Sequence, residues 1–143
     1  MFSIFSNIYF AKRSSSPKNF VNEFIKDYHK WNEIAVKNQS TTQDSSSVIN
    51  EAKQNYSKKI VEKYCHEDFQ GQPISFSDDT AHHPKKEIIT SENIQGDEAI
   101  VMTKMNKMHN FEVDYEYRLV RKNKRWYLSA VDYVDGNCKW PCL

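Results

Sequence analysis

From Phe111 to Leu119 apolar and charged residues alternate without a break. Side chains of an extended strand point to opposite faces with a period of two. Phe111, Val113, Tyr115, Tyr117 and Leu119 are therefore expected on a buried face, and Glu112, Asp114, Glu116 and Arg118 on an opposite, mostly acidic one. Residues 121–125 are polar and read as a tight connection, and residues 126–134 are aromatic and apolar enough to form the partner strand. A long antiparallel hairpin is thus expected to close the domain. Upstream, residues 87–94 and 98–105 flank Gln95-Gly96-Asp97, a turn whose glycine can take a positive φ, and predict a second hairpin.

The first half of the chain has a different period. Ser16 followed by Pro17 is a helix start, because serine caps exposed amides and proline fits the first helical position. Phe20, Phe24, Tyr28, Trp31 and Ala35, flanked by Val21, Ile25 and Ile34, recur at three- and four-residue spacing and predict an amphipathic helix of about five or six turns. A polar run over residues 38–46 ends it. A second helix is expected over residues 47–64, with Val48, Ala52, Tyr56, Ile60 and Tyr64 on one stripe. Between residues 65 and 86 regularity fades around Gly71, Pro73 and Pro84, leaving only Ile74-Ser75-Phe76 as a short strand. Irregular segments of this kind often carry binding residues.

Composition narrows the function classes. At 143 residues the chain suits one domain, read here as residues 17–143 preceded by an N-terminal extension over residues 1–16. Twenty Lys and Arg nearly balance nineteen Asp and Glu, so no overall basic field argues for nucleic acid or an anionic membrane as partner. The apolar opening, residues 1–11, is shorter than the ~20 residues that span a bilayer, and Lys12 and Arg13 follow rather than precede it. A cytoplasmic protein is the expectation. Cys65, Cys138 and Cys142 leave one thiol over in any pairing, which favours reduced thiols; a Cys138–Cys142 disulfide would fit an exported chain.

Candidate chemistries are thin. Cys65-His66, His82-His83 and Cys138 with Cys142 supply no two matched ligand pairs, so neither a metal nor any other cofactor is expected. Neither a G-x-S-x-G elbow nor a glycine-rich phosphate loop is present. The basic clusters at Lys58-Lys59, Lys85-Lys86 and residues 121–125 read as solvated faces and turns.

Two helices followed by a run of strands give an α+β order, with helices laid on one face of a curved antiparallel sheet. In this order the chain resembles the NTF2-like fold, a cone of strongly bent sheet wrapped around N-terminal helices. Its closing run, residues 124–137, is similar to the end of the NTF2-fold immunity proteins of bacterial polymorphic toxin systems, and the likeness extends over residues 17–140. The resemblance implies a protein that binds and neutralises a cognate toxin domain. Toxins that cut nucleic acid are commonly basic, so carboxylates would face them. Asp78 and Asp79 with His82 nearby, and Glu112, Asp114 and Glu116 on one strand face, are the candidate contacts. Each also reads as an ordinary loop or solvated strand residue, and the strand face would equally serve as a contact between two copies of the chain.

The same fold houses isomerases and ligand-binding domains. An enzyme of ketosteroid-isomerase type needs an inward carboxylate and converging hydrogen-bond donors. Asp132 is the candidate base here, and Tyr28, Tyr56, Tyr115, Tyr117 and Tyr127 are the candidate donors. The plainer reading makes these tyrosines core residues and Asp132 an exposed or paired carboxylate.

Overall fold

Helix α1, Pro17–Thr41, begins where Ser16 Oγ accepts the amide of Asn19 at 3.2 Å. It continues through the polar residues expected to end it, since nothing between Asn38 and Thr41 forbids helical backbone. The computed structural model describes residues 16–41, 43–69 and 71–143, so the expected extension over residues 1–16 lies, but for Ser16, outside the described residues. Helix α2, Ser45–Tyr56, is capped by Asp44, whose side chain accepts the amide of Ser47. It passes into a π turn, Ser57–Val61, and a last helical turn, Glu62–Tyr64. Val48, Ala52, Tyr56, Ile60 and Tyr64 are all buried. A strict four-residue spacing drifts about 40° per step around a 3.6-residue helix, and the wider π turn takes up that drift. Trp31 joins the two helices by donating its indole N–H to the carbonyl of Ala52 at 2.9 Å. Among the described residues no helix is long and apolar enough to cross a membrane.

The sheet is antiparallel and follows chain order: β1 (Glu87–Gln95), β2 (Glu98–Lys107), β3 (Phe111–Lys122), β4 (Arg125–Asp135) and β5 (Cys138–Pro141). Gly96 in the β1–β2 turn takes φ 61°, as the sequence predicts. Register shifts at Ile89/Ser91 and at Arg118/Leu119 mark bulges, which bend the sheet over α1. At the second, the Ser129 hydroxyl donates to the carbonyl of Arg118. Strand β5 is an addition to the expected hairpin; it turns the chain back along the end of β4. The expected strand at Ile74-Ser75-Phe76 does not form. Asn32 on α1 instead holds the main chain of the following residue, donating to Ser77 O at 2.8 Å and accepting from Ser77 N at 3.2 Å.

One face of the sheet packs on α1 and α2. Ala99, Val101, Thr103 and Met105 on β2 and Val113, Tyr115, Tyr117 and Leu119 on β3 are buried there, with Trp126, Leu128 and Val131 of β4. Phe111, expected with them, is 56% exposed. It stands at the outer end of β3, past the reach of the helices. Phe24, Tyr28, Tyr64, Tyr115 and Tyr117 meet largely edge to face, and the His82 ring sits among Phe24, Tyr28, Tyr115 and Tyr117.

Inside this aromatic layer lies a buried polar knot. Glu87 Oε1 faces His82 Nδ1 at 2.8 Å, and Oε2 accepts from Thr103 Oγ1 at 2.6 Å and from the Tyr117 hydroxyl at 2.5 Å. Burial and the neighbouring Glu87 charge push the Tyr117 hydroxyl well above the ordinary tyrosine range, so it remains a donor. Replacing Tyr117 by Phe removes a donor from a buried carboxylate, and is expected to cost about 1–3 kcal/mol. Glu87→Ala, which takes the shared partner from His82, Thr103 and Tyr117 at once, is expected to cost more, about 3–5 kcal/mol from several buried polar groups left unsatisfied. Urea unfolding checks both: the midpoint falls in that order with an unchanged slope.

Candidate partner-binding surface

The segment before β1 is held from within. Thr80 Oγ1 donates to the carbonyl of His82, the Tyr115 hydroxyl donates to the carbonyl of Ala81 at 2.9 Å, and the amides of Lys86 and Glu87 both donate to His83 O. His82, expected near a contact surface, is fully buried. Its bond to Glu87 makes it the anchor of the loop rather than part of its outer face. Asp78 on that loop is exposed and Asp79 partly so.

The loop is tied in turn to the β2–β3 connection. Asp79 Oδ1 accepts the amide of Met108 at 3.2 Å, Lys107 Nζ lies 3.8 Å from Asp79 Oδ2, and the amide of Asn106 donates to Lys86 O. In that connection, a short 3-10 turn Met108–Asn110, His109 takes φ 65° and Asn110 φ 60°. Histidine and asparagine tolerate the left-handed region better than most residues with a Cβ. The turn leaves Met108 42% and Phe111 56% exposed, beside the exposed Glu112. Asn106, Lys107, Asn110 and Glu112 enclose a shallow depression of about 430 Å³. The structure thus brings Asp79 to the sheet end that carries Glu112 and two exposed apolar side chains which the period-two reading placed in the core or left unassigned, whereas Asp78 lines a depression against α1 with Ile34, Lys37 and Lys86. An interruption of the alternation at Met108-His109-Asn110, two of them types that accept positive φ, was the available signal.

The rest of the expected acidic strand face is neutralised. Asp114 pairs with Lys104 at 3.0 Å. Glu116 is only 6% exposed, because Lys139 of β5 reaches it at 2.9 Å and Arg118 lies at 3.6 Å. Asp132, its partner across β3 and β4, is buried too, bound by Arg118 at 2.9 Å. A free carboxylate ladder is replaced by a covered ion cluster.

The alternative pocket does not assemble as one site. Tyr28, Tyr56, Tyr115 and Tyr117 are buried in the aromatic layer, whereas Asp132 lies on the opposite face of the sheet. Tyr127, also outward, stacks beneath the Arg125 guanidinium at 5.0 Å. The cavity that touches Tyr28 and Tyr56 holds about 20 Å³, room for a single water. Among the described residues no group of three or more His, Cys, Asp or Glu is arranged to hold a metal ion.

A family model described as NTF2 fold immunity protein matches residues 16–140. No curated protein and no solved structure gives a significant match.

All three cysteines are free thiols, in unlike settings. Burial pushes Cys65 up to about 12; burial and then the charges of Asp132 and Glu87 push Cys142, which donates to Val131 O, to about 12 as well. Only thiolate attacks a disulfide reagent. At pH 8 the folded protein is expected to release chromophore rapidly from Cys138 alone, and from the other two after unfolding in guanidinium. A second fast equivalent would overturn this reading.

Proposed function

The chain belongs to the NTF2 fold immunity protein family, and from that premise we propose that it binds one cognate bacterial toxin domain and neutralises it by direct blockade. The partner is a toxin of a polymorphic toxin system, met in the cytoplasm of the producing cell, and the blockade requires no catalysis by this chain. The contact surface in this reading is the end of the sheet formed by Asp78, Asp79, Met108, Phe111 and Glu112. The observation that carries it is the pair of exposed apolar side chains, Met108 and Phe111, on a turn pinned to Asp79, with the exposed Glu112 next to Phe111 in the chain. Interfaces draw most of their energy from a few such anchors, and peripheral charges set orientation and encounter rate. His82 and Glu116 enter only indirectly, His82 by fixing the loop and Glu116 by fixing β3 against β5.

Co-expression with the toxin domain encoded beside it, growth rescue, co-purification and calorimetric titration test the proposal. Met108→Ala and Phe111→Ala are each expected to weaken the complex tenfold or more. Glu112→Lys and Asp78→Lys are expected to slow association and reduce its dependence on salt without altering the melting temperature. Rescue that is indifferent to all four substitutions would move the contact elsewhere, and absence of any complex would overturn the blockade itself.

A further inference from the structure

On the helical side of the molecule, α1 and α2 leave a groove of about 380 Å³ between them. Trp31, Ile34, Ala35 and Ala52 supply its apolar lining, and Lys30, Lys58, Lys59 and Lys63 stand around it. Ile34 is 44% exposed there, an aliphatic side chain on α1 that the core does not use.

The charges of the groove do not cancel. Its carboxylate, Asp27, is already engaged by Lys63 Nζ at 2.7 Å and by the Tyr64 hydroxyl. Partial burial alone would raise the Asp27 carboxyl, but these two hydrogen bonds and the charges of Lys63 and Lys30 outweigh it and hold it below the ordinary aspartate value. Lys30, Lys58 and Lys59 form no ion pair among the described residues. The π turn Ser57–Val61 has a local effect as well: its wide turn lets the adjacent Lys58 and Lys59 both line the groove while Ile60 is fully buried behind them. Single π turns of this kind recur at functional sites.

We propose that this groove binds an acidic segment of a partner protein, seating one or two apolar side chains on the exposed Ile34 while its carboxylates meet Lys30, Lys58 and Lys59. The groove borders the proposed toxin contact at Ile34, which also lines a depression with Asp78, but the inference does not rest on the toxin reading. The chain's own residues 1–15 are a poor occupant, because they contain Lys12 and Arg13 and no carboxylate side chain. A nucleic acid would need an open stacking face, and the Trp31 ring is closed in by edge contacts with Tyr28, Tyr56 and Phe76.

The test is fluorescence anisotropy of a fluorescein-labelled peptide of glutamates with two leucines at helical spacing, titrated with the full chain at low salt. Saturable binding is expected, weakened at least tenfold by Lys30→Glu/Lys58→Glu/Lys59→Glu, retained by the corresponding triple Arg variant, and weakened again by Ile34→Asp or by serines in place of the leucines. Circular dichroism melts confirm that each variant is folded. Absence of saturable binding, or binding indifferent to the charge reversal, would overturn the proposal. Displacement by decanoate or by oligothymidylate at lower concentrations than the unlabelled peptide would also overturn it, assigning the groove to an anionic lipid or a nucleic acid.

Discussion

The rest of the structure depends on the buried carboxyl of Glu87. An isolated ionisable side chain in an apolar layer is costly unless hydrogen bonds replace its water. Three partners do so here, and each comes from a different part of the chain: His82 from the loop before β1, Thr103 from β2 and Tyr117 from β3. If Nδ1 of His82 carries the proton, the carboxyl has only to accept, and the three elements are fixed in one arrangement. A purely apolar layer would pack with similar energy but would tolerate sliding of the loop. Because the loop leaves the knot at His82, the placement of Asp78 and Asp79 is decided in the core.

On the other face of the sheet the same physics acts with ions. Glu116 and Asp132 sit side by side across β3 and β4, an arrangement that would repel were it bare. Arg118 bridges toward both and Lys139 closes over Glu116, which gives the short strand β5 a reason to pair where it does. Among the described residues Glu112 and Asp78 form no ion pair, and both are exposed. The acidic surface has shifted from the strand face to the strand end.

The NTF2-like fold was legible because it rests on periods. Three- and four-residue spacing identified both helices, and the two-residue alternation placed Val113, Tyr115, Tyr117 and Leu119 inward. Even the π turn had a signal, since Val48, Ala52, Tyr56, Ile60 and Tyr64 could not all stay inward on a regular helix. The site was less legible, for the reason that a period gives the face of a residue and not its extent of cover. Phe111 has the inward parity but no helix opposite it, and Glu116 has the outward parity but lies beneath a lysine more than twenty residues away in sequence. His82 carried no pattern at all, since its burial depends on three partners that only the folded chain brings together.

A balanced total charge therefore conceals two local fields of opposite sign. The sheet end presents Glu112 beside the exposed Phe111, whereas Lys30, Lys58 and Lys59 of the helix groove form no ion pair among the described residues and stand around the exposed Ile34. Separated fields orient an approaching protein, because a wrong approach brings like charges together. Both surfaces are also stiff, one because its turn is pinned to Asp79 and the loop to His82, the other because Trp31 bonds α1 to α2. Stiff surfaces spend less of their contact energy on ordering at the moment of binding. The buried knot thus reaches the surface, because the loop it fixes at His82 carries Asp79, which pins the Met108–Asn110 turn.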